Sequence, residues 1–137
     1  MPIDGLHHVL LTVTDLARSG AFYEQVLGLR KVREIPDDGL AGAKVLYLLP
    51  DGRLFGIVHH AAAEGARFDE RRTGLDHVAF AVDADELPAW RGRLADAGFP
   101  TSEPGLSALG EPLIVLRDPD GIQVQIYGRL RQQALSS

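Results

Sequence analysis

Alternation of apolar and polar residues predicts a β-strand close to the start of the chain. Between His7 and Val13 the odd positions from 9 onward are all apolar, whereas the even positions hold His, Leu and Thr. Residues 77–82 alternate in the same way. We expect the bulkier apolar face of each strand to pack on the helix that follows it. His8 and His77 then lie on the opposite face, which points toward whatever the sheet encloses.

A helix is predicted after each of these strands. The first begins near Thr14 or Asp15, either of which can cap free backbone amides, and ends at Gly28. The second extends from about Asp85 to Ala97, and Pro88 is tolerated because it falls in the first turn. Apolar spacing places the buried positions of the first helix at Leu16, Phe22, Tyr23, Val26 and Leu27, and those of the second at Trp90 and Leu94.

Further strand-like runs complete each half of the chain. The first half has them at 29–35, 43–49 and 53–60, and the second half at 111–117 and 122–127, after a poorly defined segment at 101–108. Turns rich in Pro, Asp and Gly separate several of these runs. Each half therefore predicts a β-α-β-β-β module. Tyr47 lies on the opposite strand face from Lys44 and Leu46, and the sequence pattern does not assign it a position.

The two modules repeat each other at an offset of 69 residues. Gly5-Leu6-His7-His8-Val9 returns as Gly74-Leu75-Asp76-His77-Val78, and Pro50-Asp51-Gly52 returns as Pro119-Asp120-Gly121 (5 + 69 = 74, 50 + 69 = 119). Two separate matches in one register indicate an internal duplication. We predict one domain over 1–137, with module 1 at about 5–60, a connection at 61–73, module 2 at about 74–128 and a tail at 129–137.

Composition narrows the class of partner. The 137 residues suit one globular domain, and the absence of Cys excludes disulfides and thiolate metal sites and fits a cytoplasmic protein. The N-terminus has no signal-peptide pattern, and no apolar run approaches the ~20 residues of a membrane span. A net charge of −5 with scattered basic residues argues against nucleic acid. A small-molecule substrate, with or without a metal, is the expected partner.

The modules resemble the vicinal oxygen chelate superfamily, which includes glyoxalases, extradiol dioxygenases and bleomycin resistance proteins. The resemblance covers roughly Pro2 to Gly128. It is carried by the run from His8 to Leu16, by Phe22-Tyr23 and Leu27-Gly28-Leu29, by the run from His77 to Val82, and by Arg117-Asp118-Pro119-Asp120-Gly121. The resemblance implies an α+β fold in which two tandem βαβββ modules form a half-open barrel, and it leaves the activity open.

The resemblance also implies a metal site. Family members take one ligand from the first strand and one from the last strand of each module. The first-strand histidines match His8 and His77. The carboxylate that usually lies four residues after the turn glycine is replaced by Gln125, and its counterpart in module 1 is Gly56 (125 − 69 = 56). His8, His77 and Gln125 are thus the expected ligands of a divalent Fe, Mn, Ni, Co or Zn ion.

The resemblance favours an enzyme in which such a metal acts as a Lewis acid on two adjacent substrate oxygens, with lyase, isomerase, epimerase or dioxygenase chemistry. Since Gln125 is no base, Glu111 or His60 is the candidate for that role. The commoner alternatives are surface exposure for Glu111 and a strand-end position near the cavity mouth for His60. Gln123 and Tyr127 share the face of Gln125 and are expected to line the substrate pocket.

A metal-independent protein that binds or sequesters a small molecule is the alternative. In that interpretation His8 and His77 are polar residues lining a cavity, and Gly56 contributes to substrate binding by opening the cleft for a bulky ligand. A homodimer is the expected assembly, because it is the commonest oligomer.

Overall fold

The computed structural model describes residues 1–130, so the predicted tail lies outside the described residues from position 131 onward. The chain divides into two compact units, one from Met1 to Arg67 and the other beginning at Phe68. This boundary falls inside the connection predicted at 61–73.

Unit 1 has one sheet and one helical segment. Its elements are β1 (His8–Val13), α1 (Leu16–Ala21), a π-helical turn (Phe22–Val26), β2 (Arg30–Ile35), β3 (Ala43–Leu48), β4 (Leu54–His59) and a 3₁₀ turn (Ala61–Ala63). The strand order is β1-β4-β3-β2, in which β1 is parallel to β4 and the other pairs are antiparallel.

Unit 2 repeats this plan. Its elements are β5 (Val78–Asp83), a 3₁₀ turn (Ala84–Glu86), α2 (Leu87–Asp96), β6 (Gly105–Leu106), β7 (Pro112–Arg117) and β8 (Gln123–Arg129). The strand order is β5-β8-β7-β6, with β5 parallel to β8. The predicted α+β fold of two βαβββ modules is confirmed. In the described part of the chain, no helix is both long enough and apolar enough to cross a membrane.

The first helix differs from its prediction in its second half. Asp15 caps it as expected, since Asp15 Oδ1 accepts a hydrogen bond from the backbone N–H of Arg18 at 3.1 Å. From Phe22 onward the α-helix gives way to a π turn, in which the N–H of Leu27 donates to the carbonyl of Phe22 at 3.0 Å. Phe22 and Tyr23 are both buried, as predicted.

Each sheet buries one face under its helix. The odd-numbered face of β1 and the even-numbered face of β5 are the more buried ones, which confirms the prediction made from strand alternation. In β8 the even-numbered positions are likewise the more buried. Tyr47, which the sequence did not place, is fully buried on this side of unit 1, where its ring stacks 6.3 Å from that of Phe55. The helix-side core residues include Leu11, Val13, Phe55 and Ile57 in unit 1 and Leu94, Ile114, Val124 and Ile126 in unit 2.

Candidate functional site

The helix-free face of the unit 2 sheet brings the candidate residues of module 2 together. Residues paired across neighbouring strands share a face. Gln125 pairs with Ala79 on one side and with Val115 on the other. His77 lies directly before β5 and two positions before Ala79, so extending the alternation of β5 by one residue places it on the same face. The face also carries Gln123, Tyr127, Ala81, Leu113 and Arg117.

Gln125 presents a buried oxygen atom that lacks a hydrogen-bond partner. Its Oε1 atom is inaccessible to solvent and accepts no hydrogen bond. The side chains in register with it, Ala79 and Val115, are hydrocarbon and have no proton to donate. An unsatisfied buried acceptor costs about 1–3 kcal/mol, so such atoms are rare in folded proteins. A cation or a donor group of a ligand would relieve this cost.

The His77 ring is held through its Nδ1 atom, which leaves Nε2 on the other side of the ring. Its Nδ1 atom lies 2.7 Å from Oδ1 of Asp76, the residue directly before it. A ring with Nδ1 engaged has Nε2 left to bind a ligand. Metal-binding histidines commonly show this arrangement, with the second ring nitrogen bonded to a carboxylate. Asp76 has no role among the predictions made from the sequence, although its position directly before the repeated histidine was a usable signal.

The counterpart histidine in unit 1 has a different neighbour. Nδ1 of His8 lies 2.8 Å from Nδ1 of His7, and the two rings meet edge to face with centroids 5.1 Å apart. Since 7 + 69 = 76, His7 occupies the repeat position of Asp76. In both modules the preceding residue therefore binds Nδ1 of the candidate ligand, through an imidazole in one and a carboxylate in the other.

Gly56 does not leave an open space in unit 1. A Cβ atom built there would overlap Cδ2 of Leu10 and would lie 2.8 Å from Cδ2 of Leu46 and 2.9 Å from the backbone oxygen of Val45. Leu10 and Leu46 are the residues in register with Gly56 on β1 and β3. The side chains of the neighbouring strands thus fill the space that the expected cleft opening would need, and the position offers no metal ligand.

Charged groups surround the end of the unit 2 face where His77 lies. Arg117 donates to Oε1 of Glu70 at 2.7 Å and to the carbonyl oxygen of Gly121 at 3.1 Å. The Arg117 hydrogen bond holds the pKa of Glu70 below its usual range. The same bond raises the pKa of Arg117, and the nearby negative charge of Asp76 adds to this effect. Glu70, in the connection before β5, is thereby fixed to the end of β7.

Glu111, one of the two candidate bases, lies away from these groups, and the other, His60, belongs to unit 1. Glu111 precedes β7 by one residue and lies four positions from Val115, which is about 13 Å along an extended strand. Its backbone N–H donates to Oγ of Ser107 at 3.1 Å. His60 is exposed at the end of β4, where its ring lies beside Gly42. The unit 2 sheet brings His77 and Gln125 onto one face, and Glu111 is far from both.

The donor set on the unit 2 face fits a divalent cation. Within residues 1–130, His, Asp and Glu side chains do not form a group of three that could hold a metal ion. Gln125 supplies a donor of another kind, an amide oxygen, and His77 supplies an imidazole nitrogen. Imidazole suits Zn, Cu, Fe and Ni, and carbonyl oxygen suits harder cations such as Mn, so the pair does not by itself select one metal.

The chain belongs to the glyoxalase/bleomycin resistance protein/dioxygenase superfamily. Its residues 5–126 match the model of that family, which confirms the resemblance of the two modules to vicinal oxygen chelate proteins. The fold agrees, because a glyoxylase/bleomycin resistance protein/dioxygenase domain from Frankia sp. superposes with a TM-score of 0.78 at 28% identity, covering 92% of this chain and 98% of that chain.

Relatives with enzyme names match over most of the chain. Ethylmalonyl-CoA/methylmalonyl-CoA epimerase of Cereibacter sphaeroides is 31% identical over 127 residues, which cover 86% of this chain and 91% of the relative. Lactoylglutathione lyase of Haemophilus influenzae is 29% identical over 119 residues, 86% of this chain and 87% of the relative. These relatives support an enzyme superfamily, and their different reactions do not single out one activity.

Proposed function

We propose that this protein is a metal-dependent enzyme of the vicinal oxygen chelate type that acts on a small molecule with two adjacent oxygen atoms. His77 and Gln125 would hold a divalent Fe, Mn, Ni, Co or Zn ion, and His8 is the third ligand that the family resemblance adds. When bound, the ion would supply a Lewis acid for the two substrate oxygens. The proposed setting is the cytoplasm, and the proposed assembly is a homodimer.

The observation that carries this proposal is the unpartnered oxygen of Gln125. It is buried on the same sheet face as His77, whose Nδ1 is already engaged by Asp76. A buried acceptor oxygen and an imidazole nitrogen on one face are two of the donors that a divalent cation accepts. Because the amide is neutral, a cation held there keeps more positive charge than it would beside a carboxylate, and it is bound less tightly.

The neutral amide also limits which residue can move a proton. Gln125 can orient a ligand, but it cannot take up a proton at neutral pH. Gln123 and Tyr127, two positions before and after it on the same face, would contact the substrate on either side. Val115 lies opposite Gln125, and Glu111 lies about 13 Å further along the strand direction. Glu111 could therefore act as a base only on a substrate that spans this distance along the face. For His60 the proposal rests on the resemblance alone.

Within the superfamily we propose a set of reaction classes and not a single reaction. Lyase, isomerase or epimerase chemistry would need a base to remove a proton beside a carbonyl group, and dioxygenase chemistry would not need this step. Loss of turnover in Glu111→Gln with unchanged metal binding would support a proton-abstracting reaction. Full turnover in that variant, and in His60→Ala, would exclude both residues as the base.

A metal-independent binding protein is the second candidate. Leu10 and Leu46 close the module 1 position that could have supplied a fourth ligand, so that module offers an apolar surface there instead of a metal-binding oxygen. Apolar surface beside a few polar groups is the usual lining of a small-molecule site.

Thermal unfolding with Mn²⁺, Co²⁺, Ni²⁺ or Zn²⁺, with and without chelator, separates the two functions. The enzyme proposal predicts that a metal raises Tm, that chelator reverses the rise, and that His77→Ala abolishes it. His59→Ala is the matched control, because His59 lies 3.6 Å from Glu64 in unit 1 and is not among the proposed ligands. Stabilisation by an organic ligand alone, unaffected by chelator, would instead support the binding protein.

A further inference from the structure

We propose that Asp76 is a positioning residue that fixes the tautomer of His77. In this arrangement the proton of the neutral imidazole stays on Nδ1, and the lone pair of Nε2 remains available on the sheet face. The tautomer assignment stands on the contact between the two side chains. Its consequence for metal binding rests on the proposed function.

The assignment follows from the chemistry of the contact. An ionised carboxylate accepts hydrogen bonds and donates none. At 2.7 Å the separation between Asp76 Oδ1 and His77 Nδ1 is that of a strong, charge-assisted hydrogen bond. His77 Nδ1 must therefore be the donor. In a neutral ring that leaves Nε2 without a proton, which is the form that binds a metal ion.

Asp76 is itself part of a charged group at the end of the sheet. Its negative charge lies close enough to Arg117 to contribute to the raised pKa of that guanidinium. Arg117 is fixed in turn by its hydrogen bonds to Glu70 and to the carbonyl of Gly121. Asp76 therefore has both the Arg117 guanidinium and the His77 ring nearby, although 66% of its side chain is exposed to solvent.

The equivalent pair in module 1, His7 and His8, does not fix a single tautomer. Nδ1 of His7 and Nδ1 of His8 lie 2.8 Å apart, so one ring must donate and the other must accept. Either ring can take either role, since both are imidazoles. His8 Nε2 is free to bind a ligand only when His7 is the acceptor. His77 is thus prearranged for binding, whereas His8 must select one of two tautomer pairs.

We expect that removing Asp76 weakens metal binding by the amount usual for a carboxylate that is bonded to a ligating histidine. A carboxylate bonded to a ligating histidine raises the basicity of the ring and fixes its orientation, and its loss typically weakens metal binding by about 10–100-fold. Asp76 and His77 are partly exposed, so water can replace part of the lost hydrogen bond. We therefore expect the lower end, about tenfold, for Asp76→Ala.

Long-range ¹H–¹⁵N NMR of the imidazole rings in metal-free protein tests the tautomer directly. His77→Gln identifies the signals of His77, and Asp51→Asn is the control, because Asp51 is an exposed aspartate paired with Arg53 in module 1. The wild type should show His77 protonated on Nδ1, and Asp76→Ala should shift it toward the Nε2-protonated form. A wild-type ring protonated on Nε2, or no change in Asp76→Ala, would overturn the assignment.

Titration with Co²⁺ monitored by its visible absorption tests the consequence. Asp76→Ala should bind about tenfold more weakly than the wild type, and Asp76→Asn, which keeps an acceptor oxygen, should lose less. Asp51→Asn should bind as the wild type does. Equal binding by wild type and Asp76→Ala would overturn the positioning role. Failure of the wild type to bind Co²⁺ would overturn the proposed function and this consequence, while the NMR result would still decide the tautomer.

Discussion

Gln125 on β8 lies directly opposite Ala79 on β5 in the parallel pairing of the two strands. The methyl group of Ala79 is small and offers no hydrogen-bond donor, and Val115 on the other side offers none either. The amide oxygen therefore remains buried and unpaired. The sheet thus keeps an acceptor on the face that carries His77.

Replacing Gln125 with glutamate should strengthen metal binding and weaken the metal-free protein. The added negative charge should tighten divalent binding by about tenfold or more, since the charge of oxygen ligands is a main determinant of affinity. Without metal, the same charge would be buried beside Ala79 and Val115, which costs stability. We expect a lower Tm without metal and a larger rise on adding Mn²⁺, measured by calorimetry.

The exposed substitution Ala89→Glu is the control for that comparison, because it adds the same charge in unit 2 on α2, on the helix side of the sheet. It should leave both the metal-free Tm and the metal-induced rise unchanged. An equal rise in wild type and Gln125→Glu would show that residue 125 is not a metal ligand.

Gly56→Ala should destabilise the protein by about 1–3 kcal/mol, the usual cost of overpacking a filled site. The new Cβ would overlap Leu10, and it would press on Leu46 and on the backbone of β3. Urea denaturation measures the difference in the free energy of unfolding. A variant as stable as the wild type would show that the space above Gly56 is open after all.

Gly92→Ala is the matched glycine substitution. Gly92 lies inside α2, and no atom outside its own helix lies within 4 Å of the position that its Cβ would take. Alanine has the higher helix propensity, by up to about 1 kcal/mol, so this variant should be more stable than the wild type. The opposite signs of the two substitutions separate overpacking at Gly56 from a general effect of added volume.

The ion pair between Glu70 and Arg117 predicts a dependence of stability on pH. Arg117 lowers the pKa of Glu70 in the folded protein, so the pair stabilises the fold above the unfolded pKa of about 4.3. This contribution is lost as the pH falls through the lower folded pKa. Glu70→Gln should therefore be less stable than the wild type at pH 7, and the difference should shrink below about pH 4.

Urea denaturation at several pH values measures this difference, with Asp4→Asn as a control that removes one exposed carboxylate near the N-terminus. The control should follow the wild type across the whole range. A stability gap between Glu70→Gln and the wild type that stays constant down to pH 3 would contradict the lowered pKa of Glu70.

The repeat made much of the fold predictable. Because alternation has a period of two, matching His8 to His77 also fixed which faces of β1 and β5 pack on a helix. The same offset identified Gly56 as the counterpart of Gln125. The π turn at 22–26 could not be predicted, since its apolar spacing is close to that of an α-helix.

The contacts around the candidate site could be predicted only in part. The face shared by Gln123, Gln125 and Tyr127 follows from strand alternation alone. The contact between Asp76 and His77 depends on the rotamers of two adjacent side chains, which strand alternation does not give. The filling of the space at Gly56 depends on which leucines lie in register on two neighbouring strands, and a single sequence does not give that register.

Metal content is the most direct test of the claim that His77 and Gln125 hold a metal ion. Inductively coupled plasma mass spectrometry of protein purified without chelator should find close to one Fe, Mn, Ni, Co or Zn per site in the wild type. His77→Ala should lose this metal, Gln125→Ala should retain only a fraction of it, and His59→Ala should match the wild type. A metal-free wild type with full activity, or a His77→Ala variant that keeps its metal, would contradict the account.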